Sequence, residues 1–163
     1  MADTFNTEQR SQIMRSVKSI RNKSTEQKLI SFFKENNING WRRSFKLFGK
    51  PDIVFPSFRI AIFTDGCFWH GHDCRNTKPK TNESYWKAKI EKNKTRDQSV
   101  SKVLQEKGWE VIRIWECSLK DTSKLVSIQN KLQQCITSRQ SGNSGITRYL
   151  TFTEPVNIDQ IEK

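Results

Sequence analysis

The chain has 163 residues, which is enough for one domain with a substantial hydrophobic core. Its 29 lysines and arginines outnumber its 17 aspartates and glutamates, and the resulting net charge of +12 is typical either of a well-solvated surface or of a domain that binds a polyanion. Five tryptophans and ten phenylalanines exclude a simple disordered basic tail, and no apolar run reaches the roughly 18 residues of a membrane-spanning helix.

Three segments are predicted along the chain. Residues 1–20 form a basic arm or helix with a thin apolar stripe, and this segment either packs on the domain or becomes ordered on a partner. Residues 21–137 form the core domain. Residues 138–163 are predicted to be a flexible linker and tail, because the linker is rich in serine, glycine and asparagine.

The first clear helix is predicted to begin at Ser24, because Gln27 follows three residues later as a capping-box partner. Glu26 lies in its first turn, where a carboxylate stabilises a helix N-terminus whatever else it does. Three extended stretches follow, separated by turns that contain proline or glycine: Trp41 to Phe45, Ile53 to Phe55 and Arg59 to Phe63. The third stretch is mostly apolar and is expected to be central in the sheet.

A long helix is predicted over residues 82–107. Its core-facing stripe includes two polar residues, Asn93 and Asp97, and such local inconsistencies often mark functional sites. A strand over residues 109–115 and a last helix over residues 122–136 complete the pattern. The order helix, three strands, helix, strand, helix predicts an α/β sandwich around a mixed sheet.

Residues 63–74 concentrate the chemistry of the chain, because they hold both histidines and two of the four cysteines. With one more distant cysteine they supply five candidate ligands for a four-coordinate zinc ion: Cys67, His70, His72, Cys74 and Cys117. Positions 70, 72 and 74 would fall on one side of an extended chain. The spacing does not decide which histidine is left out, and a spare histidine beside the zinc would suit acid–base work.

The cysteines suit metal binding in a reducing cytoplasm better than a disulfide framework. No signal peptide is expected, because the N-terminus lacks a basic segment followed by an apolar one. The remaining cysteine, Cys135, has no motif partner and is interpreted as a buried thiol.

Asp52 opens a predicted strand, although strand propensity disfavours an acid there. Paired with Pro51 it could form part of a turn, or together with nearby oxygens it could bind magnesium. The next strand is expected to run antiparallel, and Thr64 and Asp65 lie at its far end. Whether these two residues are close to Asp52 stays open at this point.

Residues 51–54, residues 63–74, Gly108-Trp109 and Trp115-Glu116-Cys117 together resemble the bacterial very short patch repair (Vsr) endonuclease family, over roughly residues 8 to 135. The resemblance implies a restriction-endonuclease-like α/β core with a structural zinc site, and magnesium-dependent nicking of DNA. The implied substrate is the T:G mismatch left when 5-methylcytosine deaminates. The nick falls 5′ of the mismatched thymine and initiates very short patch repair.

The resemblance also implies roles for individual residues. Asp52 matches the family's magnesium-binding carboxylate, and Thr64 matches the position whose main-chain carbonyl also reaches magnesium. His70 matches the catalytic histidine, a general base for the attacking water. Asp97 matches the acid that orients this histidine, and Glu26 matches an acid of the N-terminal helix at the active site.

With His70 in the catalytic role, the zinc would fall to the other four candidates, Cys67, His72, Cys74 and Cys117. Three aromatic residues match those that wedge between base pairs beside the mismatch: Phe68, Trp69 and Trp86. Insertion costs less where bases are mismatched, which gives selectivity a physical source. The alternative is that these three side chains belong to the hydrophobic core.

Two departures from the family pattern concern the active site. Asp65 stands where some members carry histidine, and it could add a metal ligand or merely tune the site. The lysine that many restriction-type nucleases carry after their second acidic position is absent, because Gly66 and Cys67 stand there. His70 would then take over part of its work.

The expected partner is double-stranded DNA with a T:G mismatch, and the resemblance implies a monomer that acts in the bacterial cytoplasm, at the nucleoid, alongside mismatch-repair proteins. No membrane association is expected. Two other functions are alternatives: a restriction-type endonuclease on the same fold, and a non-catalytic, zinc-stabilised DNA-binding module. Asp52 and His70 argue against the binding module, which would need neither residue.

Overall fold

A computed structural model describes residues 25–74 and 82–141 of the protein, together with Glu8. Within these ranges the three helices are α1 (Glu26–Glu35), α2 (Glu83–Glu106) and α3 (Thr122–Ser141). The strands are β1 (Arg42–Arg43), β2 (Ile53–Phe55), β3 (Ile60–Asp65) and β4 (Glu110–Trp115). The predicted order of elements is confirmed. None of the described helices is long and apolar enough to cross a membrane.

The four strands form one mixed sheet in the order β1-β2-β3-β4. β2 is antiparallel to both of its neighbours, whereas β4 lies parallel to β3. α2 connects β3 to β4, as a parallel pair requires a crossover on one face of the sheet. β3 is central as predicted, because its apolar residues are buried from both faces. The prediction of an α/β fold around a mixed sheet is therefore confirmed.

Helices cover both faces of this sheet. On one face, apolar side chains of α1 and α3 pack against alternate residues of the strands, including Ile60 and Ile62 of β3. On the other face, Val100 and Leu104 of α2 pack against Ala61 and Phe63. The amino-terminal half of α2 extends beyond this second core, towards the chain that follows β3.

Some predicted boundaries differ from the observed ones. α1 begins at Glu26 with Thr25 at the N-cap, so Gln27 is one position too early for the predicted capping box. The first strand is only Arg42–Arg43, because β2 offers a partner to these two residues alone. α3 continues to Ser141, and its last turns are helical where a linker was predicted. The predicted arm over residues 1–20, and the chain after residue 141, lie outside the described residues.

Candidate active site

A cavity of about 400 Å³ opens beside the carboxyl-terminal end of β3. All five residues predicted to be catalytic line this one cavity: Glu26, Asp52, Thr64, His70 and Asp97. They come from α1, the start of β2, the end of β3, the following loop and the middle of α2. The fold therefore brings together side chains that are distant in sequence.

Asp52 and Thr64 are direct neighbours in this cavity. The antiparallel register pairs Ile53 with Ile62, and the Asp52 N–H continues the ladder by donating to the Ile62 carbonyl at 3.0 Å. Asp52 Oδ2 accepts hydrogen bonds from the Thr64 N–H at 2.7 Å and from the Thr64 hydroxyl at 2.9 Å. Because the N–H and C=O of one strand residue point to the same edge, the Thr64 carbonyl also faces the Asp52 side. The question that the sequence left open is thus answered.

The carboxyl groups of this cavity favour a cation. Burial raises the pKa of Asp52, and the charges of Glu26 and Asp65 raise it further, whereas the hydrogen bonds from Thr64 oppose the rise. Glu26 is buried, and its Oε1 accepts a hydrogen bond from Arg43 Nε at 2.6 Å. A carboxylate next to a carbonyl oxygen is a donor set that fits magnesium, which prefers oxygen ligands and retains several waters.

His70 is held against α2 by Asp97. Its Nδ1 hydrogen-bonds to Asp97 Oδ2 and lies 3.8 Å from Asp65 Oδ1. A neutral histidine that donates its Nδ1–H to a carboxylate has an unprotonated Nε2, which can accept a proton. The other polar residue of the stripe, Asn93, donates to the Trp69 carbonyl at 2.8 Å. Both polar residues in the apolar stripe of α2 therefore hold the loop that follows β3.

The loop over residues 66–74 folds into successive turns. The His70 N–H donates to the Gly66 carbonyl at 3.2 Å, and the His72 N–H donates to the Cys67 carbonyl at 2.9 Å. The prediction that positions 70, 72 and 74 share one side of an extended chain is therefore wrong. Because the backbone turns between them, the two histidines join different clusters of side chains.

Cys67, His72, Cys74 and Cys117 form a cluster in which the ligand atoms all lie within 4.8 Å of one another. Tetrahedral zinc holds ligand atoms about 3.3–3.8 Å apart. Cys117 Sγ lies 3.5 Å from His72 Nδ1, so this set of thiols and imidazole is compatible with the ion. Burial is the main cause that raises the pKa of Cys67 to about 12; side-chain hydrogen bonds with Cys74 and Cys117 add to this rise, and a backbone hydrogen bond at Cys117 opposes it. A thiolate there needs a cation beside it. The His72 ring stacks on Trp115 with centroids 4.4 Å apart. His70 is the histidine left out of this cluster.

Phe68, Trp69 and Trp86 form a cluster of aromatic rings with centroids 5.0–5.8 Å apart. All three side chains are half-buried and belong to neither core cluster. The alternative that they form part of the core therefore finds no support among the described residues. Tyr85, which is 51% exposed, extends this cluster by an edge contact to Trp86 at 5.2 Å.

Three residues of this region were not predicted from the sequence: Arg43, Tyr85 and Arg113. Arg113 interrupts the apolar run of β4, and a buried charge in such a strand is a signal that could have been read. Burial alone would lower the pKa of Arg113, but hydrogen bonds and ion pairs with Asp65 and Asp97 outweigh this effect and raise the pKa. Arg43 had no comparable signal, since it lies on a short, half-exposed strand.

Comparison with known proteins agrees with this geometry. The family model described as DNA mismatch endonuclease Vsr matches residues 2–76. A type II nicking enzyme, V.XorIIP of Xanthomonas oryzae pv. oryzae, is 40% identical over 126 residues, which cover 77% of this chain and 92% of the relative. The DNA mismatch endonuclease Vsr of Escherichia coli K12 is 37% identical over 139 residues, 83% of this chain and 88% of the relative.

The chain belongs to the Vsr family. As a member it is a DNA endonuclease, a hydrolase of phosphodiester bonds. Another relative in the family, the type II nicking enzyme V.NmeDIP of Neisseria meningitidis, is 32% identical over 151 residues, which cover 91% of this chain and 97% of the relative. The match to Vsr-family proteins thus includes the candidate active site as well as the first half of the chain.

Proposed function

We propose that this Vsr-family protein is a strand-specific mismatch endonuclease that nicks DNA 5′ of the thymine in T:G mismatches arising from 5-methylcytosine deamination. One observation carries the proposal: a carboxylate–carbonyl pair, a histidine–aspartate pair and a cluster of half-buried aromatic rings meet at one cavity. The first two are tools for phosphodiester hydrolysis, and the third is a tool for distorting a base stack.

Asp52 and the main-chain carbonyl of Thr64 would hold a magnesium ion, which neutralises charge on the scissile phosphate and on the leaving oxygen. Asp52 is fixed for this role, because both of its hydrogen bonds from Thr64 go to Oδ2. Among the described residues no hydrogen bond reaches its other carboxylate oxygen, Oδ1, which is thus available as a ligand. Glu26, held by Arg43, adds negative charge at the same cavity.

His70 is the general base in this proposal. Asp97 holds the imidazole by Nδ1, so that Nε2 accepts a proton from the water as the water oxygen attacks the phosphorus. The bond from phosphorus to the leaving sugar oxygen breaks in the same displacement. This arrangement does without the lysine of many restriction-type nucleases.

Mismatch selection is proposed for Phe68, Trp69 and Trp86. Because base pairs that contain a mismatch stack and pair less strongly, inserting aromatic rings beside a mismatch costs less free energy than inserting them into matched DNA. Phe68 and Trp69 lie next to His70 in sequence, and Trp86 lies on the same face of α2 as Asp97. Insertion of these rings would therefore bring the scissile phosphate close to the catalytic groups. The net charge of +12 supports binding to the DNA backbone.

The cluster of Cys67, His72, Cys74 and Cys117 is proposed to bind a structural zinc ion, since it offers four ligands and no open position for substrate. We further propose that the mixed sheet and its helices form a restriction-endonuclease-like core. In this account the protein is a monomer that acts on nucleoid DNA in the bacterial cytoplasm, in contact with mismatch-repair proteins.

The experiment compares cleavage of two end-labelled duplexes that differ only by one T:G mismatch in a methylated-cytosine context. Magnesium-dependent nicking of the thymine strand of the mismatched duplex alone is the expected result. Cutting of both strands of both duplexes would indicate a restriction-type endonuclease. Binding without cutting, in several flanking sequences and with several divalent metals, would indicate a DNA-binding module and would contradict the proposal.

A further inference from the structure

Arg113 places a cation between the buried residues Ile112 and Ile114 of β4. It lies opposite Phe63 in the parallel register of β3 and β4, and its guanidinium carbon is 4.8 Å from the centre of the Phe63 ring. Its side chain is only 22% exposed. A charge held this far from water needs partners of opposite charge.

Asp65 supplies the first of these partners through both of its carboxylate oxygens. Arg113 Nε donates to Asp65 Oδ2 at 2.6 Å, and Nη2 donates to Oδ1 at 2.8 Å. This is the two-pronged geometry in which arginine binds a carboxylate most strongly. Asp65 is 3% exposed, and this guanidinium contacts both of its carboxylate oxygens.

The same guanidinium reaches the acid that holds the histidine. Arg113 Nη2 lies 3.0 Å from Asp97 Oδ1, while the other Asp97 oxygen, Oδ2, hydrogen-bonds to His70 Nδ1. Four side chains therefore form one continuous line from β3 through β4 and α2 to the loop: Asp65, Arg113, Asp97 and His70. Arg96 also approaches Asp97, at 3.4 Å, but its side chain is 64% exposed.

We propose that Arg113 is a positioning residue that fixes the Asp97 carboxylate, and through it the His70 imidazole, while Asp65 anchors Arg113 and is not a magnesium ligand. The catalytic consequence rests on the proposed function. A metal ion on Asp65 would draw carboxylate charge away from a half-buried guanidinium and leave that guanidinium less well compensated. Asp65 and Arg113 thus form a fixed frame on the sheet against which the histidine pair is held.

The contact between Arg113 and Asp97 also limits the orientation of the His70 imidazole. Asp97 projects from the surface of a long helix, where a carboxylate can rotate between several partners. Arg113 occupies one oxygen and so directs the other towards His70 Nδ1. When the imidazole is neutral, this contact favours the tautomer with its proton on Nδ1, the one that leaves Nε2 able to accept a proton.

The test is the nitrogen-15 NMR spectrum of the histidine side chains in the zinc-loaded full chain. The protein has two histidines, so only the His70 and His72 rings contribute, and the His72 signals report on the zinc cluster. Variants to compare are Arg113→Lys, which retains the charge but loses the two-pronged contact, and the double variant Asp65→Asn/Arg113→Gln, which removes both charges together. Arg96→Lys is the matched control at the exposed side of Asp97.

We expect wild type and Arg96→Lys to show a single Nδ1–H tautomer for His70. Arg113→Lys and the double variant should show a mixture of tautomers, with His72 signals unchanged. In single-turnover nicking, both variants should lose about tenfold or more in rate. The enzyme concentration and the magnesium concentration that give the half-maximal rate should stay the same.

An unchanged His70 spectrum in both variants would overturn the proposal. Loss of the His72 signals together with those of His70 would also overturn it, because Arg113 would then support the fold as a whole. A raised magnesium requirement in Asp65→Asn alone would show that Asp65 is a metal ligand. The spectra need no DNA, so if wild type nicks no mismatch, the proposed function fails while the tautomer result still decides this inference.

Discussion

Two clusters of polar side chains include residues of the same short loop after β3. They differ in whether the side chains contact only one another or border an open cavity. Cys67, His72 and Cys74 meet Cys117 in a cluster with four ligands directed at one another. His70 turns the other way, towards Asp97 and a cavity of about 400 Å³. Two residues along the chain separate a closed site from an open one.

This difference separates stability from chemistry. A closed tetrahedral set has no position left for substrate, and its binding free energy is folding free energy. Asp52 and His70 of the open site both line the cavity, which is where the proposed function places DNA. The predictions below test this division, beginning with the largest expected effect.

Replacing a ligand of the closed cluster should affect the whole domain. We expect Cys117→Ala to lose bound zinc and to lower Tm by more than about 10 °C, because zinc binding is coupled to folding. Cys135→Ala is the matched control, since this half-buried thiol lies outside the cluster. Calorimetry with metal analysis measures both quantities. A Cys117→Ala protein with unchanged Tm would show that the cluster does not stabilise the fold.

Replacing the carboxylate of the open site should abolish activity without unfolding. We expect Asp52→Asn to nick at least about 10³-fold more slowly, because in the proposed function several kcal/mol of transition-state stabilisation depend on the metal that Asp52 would hold. Its Tm should be equal or higher. The pKa of Asp52 is raised in the folded state, so its contribution to stability is present below the unfolded pKa and is lost as pH rises through the folded one.

Single-turnover nicking and calorimetry check this pair of effects, with Glu106→Gln as the control for removing an exposed carboxylate from the domain surface. The account would be contradicted by an Asp52→Asn protein that still nicks at the wild-type rate. It would also be contradicted by one that has lost its zinc.

The aromatic cluster should control discrimination more than chemistry. We expect Trp86→Ala to lower the preference for mismatched over matched DNA by about 10- to 100-fold, because stacking of an aromatic ring on a base contributes about 1–3 kcal/mol. Phe48→Ala is the control, since this exposed ring lies near the opposite end of α2 and outside the aromatic cluster. Competition binding with the two duplexes measures the ratio of affinities for mismatched and matched DNA. Equal losses of this preference in Trp86→Ala and Phe48→Ala would argue against insertion of Trp86 beside the mismatch.

The smallest effect is expected at Tyr85, which touches only the edge of the aromatic cluster. We expect Tyr85→Ala to weaken binding to mismatched DNA by less than about fivefold, since an exposed ring contact contributes about 1 kcal/mol or less. Tyr85→Phe should retain wild-type binding, because the ring and not the hydroxyl makes the contact. An equal loss in Tyr85→Phe and Tyr85→Ala would assign the contact to the hydroxyl instead.

The order of the elements and the central position of β3 could be predicted from the sequence, because hydrophobic patterns and turn residues are local signals. The proximity of Asp52 to Thr64 could not, since it depends on the register of β2 against β3, and that register is set by the whole sheet. The turns after Gly66 were not predicted either, because ligands at the alternating positions 70, 72 and 74 suggest an extended chain when only the sequence is known.

Arg113 shows a different limit of prediction from the sequence. Its charge could be seen in the sequence, but its partners lie on β3 and on α2 and meet only in the folded sheet. The grouping of Cys67, His72, Cys74 and Cys117 was predictable through family resemblance, whereas residue spacing alone left the choice between the two histidines undecided.

The central claim, that the closed cluster holds the fold together while the open site does the chemistry, is tested most directly by metal exchange. Wild-type protein would be passed into metal-free buffer, and its zinc content and its rate of nicking a T:G duplex would be followed as magnesium is added back. The account predicts that activity disappears and returns with magnesium alone, while one zinc ion per chain is retained throughout. Activity that persists without magnesium, or that returns only with zinc, would contradict it.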